Sequence, residues 1–234
     1  PGNMAMEAKI AAQFAGAGFE NGEINFVAPV FLPGRAVLTL TGHPPVTVFA
    51  MHPTMMRPGN FEQQAFAARL VYLGRGTPSD FERVKGVNLE GALGVFDFAC
   101  GLDWKQFLRF GLKGFVFIAP DVANRYDALK KVYLSEVAVP RFWVGAQDGA
   151  RLKDAAVSGA SVQVQAEPSR WENRMLRNLW VLVPGSDADL ANEAAVIMAP
   201  MDSNSIVPEL APGAQSGANL FLLTQLLKQF RETP

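Results

Sequence analysis

Residues able to do chemistry are few and widely spaced in this chain. The polar loop Asp202-Ser203-Asn204-Ser205 follows an apolar run, residues 194–198 (AAVIM). It leads through Pro212-Gly213-Ala214 into a stretch with Leu220, Leu223, Leu227 and Phe230 at helical spacing. Short polar side chains in such a loop most simply bond to nearby backbone. Ser216-Gly217 has no histidine near it in sequence to activate the hydroxyl, so it reads as the start of the last helix rather than a nucleophile. His43 and His52 stand beside prolines, nine residues apart, which is no metal-binding pattern; surface or interdomain hydrogen bonding is expected of them. Gly74-Arg75-Gly76 lacks the lysine of a P-loop and the rest of a dinucleotide fingerprint, and reads as a turn after a strand. Cys100 has no His, Lys or Arg among its immediate neighbours to lower its pKa, so a buried small hydrophobe is expected. Arg170, Trp171 and Arg174, in Arg170-Trp171-Glu172-Asn173-Arg174, combine residue types favoured at interface hot spots and form the candidate interaction surface. The competing reading packs Trp171 inside a domain junction, and Trp143 is expected in the core.

The elements that must position these residues follow from period and punctuation. Residues 4–17 read as an amphipathic helix with Met6, Ile10, Phe14 and Ala17 on one face. Strands are expected at 24–32 and 36–41, paired as a hairpin across Pro33-Gly34. The Pro- and Met-rich residues 42–60 read as irregular connection. Short apolar strands then alternate with short helices: strands at 70–73, 92–98, 115–119, 137–144 and 161–166, helices at 103–110, capped by Asp103, and at 147–155. Strands at 177–183 and 194–198, joined by the turn Pro184-Gly185-Ser186-Asp187, lead to the last helix.

Composition bounds the function. The 234 residues, 49% hydrophobic and 18% charged, suit a sizeable globular core in one large or two small domains. With 21 basic and 22 acidic residues the net charge is −1, which gives no electrostatic reason to expect nucleic acid or an anionic membrane as partner. One cysteine permits neither an internal disulfide nor a cysteine zinc cluster. No run approaches the about 20 apolar residues that span a bilayer. Pro1-Gly2-Asn3 reads as a cloning remnant, so the chain is expected to be an excised piece of a longer protein.

The middle of the chain, roughly residues 67–166, resembles a protease-associated domain. Its marks are Leu70-Val71-Tyr72-Leu73-Gly74-Arg75-Gly76, then Asp80-Phe81, then Leu89-Glu90-Gly91 entering strand 92–98. After these come helix 104–110, the run Gly111-Leu112-Lys113-Gly114-Phe115-Val116-Phe117-Ile118, Val139-Pro140, and Asp148-Gly149-Ala150-Arg151-Leu152. The flanks agree. Residues 7–19 (EAKIAAQFAGAGF) and 177–186 (RNLWVLVPGS) resemble the zinc-peptidase-like domain of the glutamate carboxypeptidase and transferrin receptor group, into which a protease-associated domain is inserted.

The resemblance implies an α/β fold of mixed α+β character: a protease-associated-type β-sandwich or barrel with short helices, inserted into a partial αβα peptidase-like sheet domain. Residues 1–52 would be the N-terminal helix and hairpin of the outer domain, 53–168 the insert, and 169–234 the resumed, incomplete outer domain. In that family a His stands two residues before the strand-end Asp, and a second Asp follows the Pro-Gly-Ala. Here those places hold Pro200 and Gln215, and Asp202 alone remains, as a relic that would have oriented the missing His. No catalytic residue, metal ligand or cofactor is therefore expected in this chain. The expected role is protein or peptide binding, or scaffolding, in an extracytoplasmic bacterial protein that meets a membrane only through segments outside this chain. The alternative is part of an active zinc-dependent amino- or carboxypeptidase whose remaining catalytic residues lie beyond residue 234.

Overall fold

The computed structural model describes residues 2–32, 34–51, 65–120, 139–168, 170–202 and 213–232. Its elements begin with α1 (Gly2–Gly16), β1 (Glu20–Leu32), β2 (Arg35–Leu40), β3 (Val46–Ala50), β4 (Ala65–Tyr72) and α2 (Pro78–Arg83). They continue with β5 (Leu93–Asp97), a 3-10 helix (Asp103–Phe110), β6 (Gly114–Ile118), β7 (Arg141–Val144), α3 (Ala146–Val157), β8 (Ser161–Ala166), β9 (Arg170–Leu182) and α4 (Gly213–Glu232). Among the described residues, those up to Val30 and from Asn173 form one compact unit, and Phe31–Glu172 form another. The second unit therefore holds β2 and β3 as well as the segment read as an insert.

That second unit is a closed barrel of order β2-β3-β7-β6-β5-β4-β8. β8 shows why it closes. Its residues alternate exposed and buried, with Val162, Val164 and Ala166 inward, and it pairs antiparallel with β2 on one side and β4 on the other. From β4 through β5 and β6 to β7 the pairing is parallel, and β5, β6 and β7 are buried almost throughout, as parallel strands covered on both faces must be. One face of these strands fills the barrel with Leu38, Leu70, Leu93, Val95, Val116 and Phe142, closed by Leu152 and Ala156 of α3. The other face carries a second, aromatic core of Phe96, Phe115, Phe117 and Trp143 beneath Trp104 and Phe107 of the 3-10 helix. Trp104 meets the edges of Phe115 and Phe117 at 5.1 and 5.8 Å. Cys100 and Trp143 are buried in this second core.

In the first unit, α1 and α4 bury Ile10 and Phe14 with Leu220 and Leu227, against Leu179 and Val181 of β9. Leu223 is partly covered there, while Met6 and Phe230, expected on the buried faces, are exposed.

Four expectations are corrected. The strands around Pro33-Gly34 exist but form no hairpin: β1 pairs with β9, and β2 pairs with β3 and β8. The backbone at Gly34 passes so close to Glu167 that a Cβ would lie 1.9 Å from its carbonyl oxygen, a crossing that replaces a tight turn. The stretch read as irregular holds β3, whose Val46, Val48 and Ala50 alternate inward; the period-2 signal was masked by the surrounding prolines. The 3-10 helix has no side-chain cap, so Asp103 does not cap it. Residues 194–198 are not a strand. Val196 and Met198 are 78% and 87% exposed, and no described strand pairs with them, so the backbone has no sheet neighbour to bond.

Candidate functional site

The segment singled out for metal chemistry lies in the first unit. Pro200 and Asp202 are exposed on irregular backbone, with Met201 between them turned toward the core of α1 and α4. Position 215 lies in the first turn of α4. Residues 203–212, with Ser203, Asn204 and Ser205, lie outside the described residues, as does His52. His43 is exposed in the turn after β2, where its N–H donates to the Leu40 carbonyl at 3.2 Å. Among the described residues no three His, Cys, Asp or Glu side chains come together in a way that could hold a metal ion. The residues present do not fit a zinc pair, because proline offers no donor atom and glutamine is neutral where a bridging carboxylate is needed.

Arg170, Trp171 and Arg174 all lie in β9, which extends further back than its apolar run suggested. A strand sends successive side chains to opposite faces, so Arg170, Glu172 and Arg174 share one face and Trp171 takes the other. The Arg170 Nε donates to Glu172 Oε1 at 2.5 Å, and Trp171 is 42% exposed. Further along the strand, Arg177 ties three elements: its guanidinium donates to Glu7 of α1 and, at 3.0 Å, to Glu23 of β1. The Glu7 hydrogen bond, with help from Glu23, holds the Arg177 pKa above its ordinary value.

Sequence reasoning missed two polar clusters in the barrel unit. The first is built on Asp80. Its carboxylate accepts from the Arg75 and Thr77 N–H groups, both at 3.0 Å, from the Thr77 hydroxyl at 2.8 Å and from Arg83 at 2.8 Å. In return Thr77 caps α2, whose first residue is Pro78. Burial alone would raise the Asp80 pKa, but the Thr77 and Arg75 hydrogen bonds, aided by Arg83, hold it below the ordinary value. Gly74 and Gly76 both have positive φ, and a Cβ on Gly74 would sit 2.2 Å from Asp80 Oδ1. The only sequence signal was the capping pattern Thr77-Pro78-Ser79-Asp80.

The second cluster lies where β4 and β5 end. Tyr72 donates to Asp97 Oδ2 at 2.7 Å, and Lys153 of α3 lies 3.8 Å from Asp97 Oδ1 and 4.6 Å from the centre of the Tyr72 ring. Burial, with Asp97, raises the Tyr72 pKa, so the phenol keeps its proton and donates it in the hydrogen bond to Asp97. Contact with the Tyr72 hydroxyl, then Asp97, raises Lys153. The lysine therefore stays charged, and the cluster locks α3 to the barrel. Arg141 is buried beneath Trp104, 5.4 Å from its ring centre, and burial lowers its pKa to about 10. It too remains a cation at neutral pH.

No family model and no curated protein matches the chain. Solved structures do. BSAP, a zinc aminopeptidase from Bacillus subtilis, is similar with a TM-score of 0.56 and 14% identity over 97% of this chain and 51% of that one. A second crystal structure of the same enzyme gives 0.55, again at 14% identity and with the same coverage. An aminopeptidase from Aneurinibacillus sp. strain AM-1 shows 19% identity over 99% of this chain and 54% of that one, with a TM-score of 0.44. This chain thus spans about half the length of the solved structures it resembles. At such identities the likeness concerns architecture: the chain has a zinc-peptidase-like fold.

Proposed function

We propose that this chain is a non-catalytic, protein- or peptide-binding or scaffolding part of a zinc-peptidase-like protein. In this reading the barrel unit is a protease-associated domain inserted into a peptidase-like domain whose metal site has degenerated. The parent would act outside the cytoplasm, and any membrane contact would come through segments outside this chain. The observation that carries the reading is the pair Pro200 and Gln215, standing where the resemblance requires a histidine and a bridging aspartate. Asp202, exposed two residues after Pro200, would have had an orienting role, and with no histidine to orient it would serve no metal.

The test, made on the full-length parent, is zinc content by mass spectrometry together with hydrolysis of aminoacyl anilides and of peptides carrying a free C-terminus. The expected outcome is no stoichiometric zinc and no turnover. Stoichiometric zinc with turnover would overturn the reading.

A further inference from the structure

A groove of about 410 Å3 runs between the loop after α2 and the end of the 3-10 helix. Val87 and Glu90 stand on one lip, Arg109 and Phe110 on the other. Its size falls among ordinary ligand sites, which range from roughly 300 to 1,000 Å3.

The groove is held rigid by backbone. Gly91 N–H donates to the Gly111 carbonyl and Lys113 N–H to the Ala92 carbonyl, both at 2.8 Å. Within the loop, Val87 N–H bonds to Val84, Ala92 N–H to Leu89, and the Asn88 side chain accepts from Glu90 N–H at 3.0 Å. Arg69 donates to the Asn88 carbonyl, and Leu89 is buried in the aromatic core, so both lips are anchored. Gly111, at φ +73, completes the floor; a Cβ there would come within 3.2 Å of Glu90 Cγ. A site built this way spends little entropy on ordering itself when something binds.

What the lips present is specific. Phe110 is 38% exposed, braced by Phe81 and Phe107 at 6.1 Å, with the Arg109 guanidinium 5.2 Å from its ring centre. Neither Arg109 nor Glu90 has an ion-pair partner among the described residues, although the two line one groove. Opposite charges set beside two exposed apolar side chains, Val87 and Phe110, repel a polyanion such as nucleic acid as much as they attract it. They complement a dipolar chain that alternates charged and apolar side chains.

We infer that this groove binds an extended peptide, with an acidic residue on Arg109, an aromatic or aliphatic side chain over Phe110 and Val87, and a basic group on Glu90. The inference rests on the peptide-binding reading and gives it a place. It is tested on the whole chain with the probe acetyl-Lys-Gly-Phe-Gly-Asp-amide, titrated while amide shifts are recorded by NMR. Saturable shifts are expected at residues 87–91 and 109–111. Arg109→Ala should weaken binding at least about tenfold, as loss of a hot-spot residue does. Replacing the probe's Asp by Lys should abolish binding to the native chain and restore it to Arg109→Glu. Both side chains are exposed, so these variants keep the fold. No saturable shift at these residues, or binding indifferent to Arg109→Ala and Glu90→Gln, overturns the inference. Zinc-dependent turnover would instead sink the non-catalytic reading and leave the shift map to decide the groove separately.

Discussion

The carboxylate of Asp80 gathers hydrogen bonds from two backbone N–H groups, a hydroxyl and a guanidinium, and so fixes a turn containing two left-handed glycines. Asparagine keeps one oxygen for the Arg75 and Thr77 N–H groups, but it removes the charge from these bonds and turns an NH2 donor toward the Arg83 guanidinium. Asp80→Asn is therefore expected to lower stability by about 1–3 kcal/mol in chemical denaturation. The pH dependence has a definite sign. The folded pKa lies below the ordinary carboxylate value, so the carboxylate stabilises the fold above that value, and its contribution is lost as pH falls through the lower, folded pKa. The native chain and Asp80→Asn should therefore converge in stability below about pH 4 and separate above it. Parallel curves at all pH values would show that the ionised state of Asp80 adds nothing to stability. Gly74→Ala tests the same turn from the other side, because its Cβ would meet the carboxylate in a backbone region that alanine disfavours.

Elements were legible where local pattern and tertiary surroundings agree. β8 follows its period-2 alternation to the residue, whereas α2 was not read from the sequence although Thr77 and Pro78 mark its start. Pairing was less legible, because partners are set by the whole barrel: β1 and β2 adjoin in sequence yet bond to β9 and to β8 and β3. Residues 194–198 show the limit of composition. An apolar run has the propensity for a strand, but a strand also needs a neighbour for its backbone, and no described strand supplies one. Of the candidate surface, Arg170 and Arg174 share a face, whereas strand alternation takes Trp171 to the other; the cluster seen in sequence is divided by the pleat. The contrast between a packed and an unpacked apolar residue is measurable. Leu38→Ala, in the barrel interior, should cost about 2–5 kcal/mol. Val196→Ser, at an exposed site, should stay within about 0.5 kcal/mol of the native chain. A large loss from Val196→Ser would mean that this segment packs as a strand.

At the scale of the whole molecule, the likeness to solved structures concerns the fold alone. This chain superposes on about half of a zinc aminopeptidase with a TM-score of 0.56, while the positions that the resemblance assigns to metal chemistry hold proline and glutamine. A co-catalytic zinc pair takes about four to six nitrogen or oxygen ligands converging from several strand ends, with one carboxylate bridging and another acting as base. Restoring the two missing types with Pro200→His and Gln215→Asp would therefore add donors to Asp202 without completing a site, since no other described carboxylate or histidine groups with a third. The double variant is expected to stay free of stoichiometric zinc and to hydrolyse neither aminoacyl anilides nor peptides. Its fold should survive, because Pro200 is exposed on irregular backbone and position 215 opens the first turn of α4, where an aspartate also complements the helix dipole. Intact circular dichroism without zinc or turnover would agree with the proposal that these two donors do not complete a metal site. Peptide hydrolysis by the double variant would show that the chain carries the remaining ligands, and that two substitutions, rather than the loss of a whole site, silenced it.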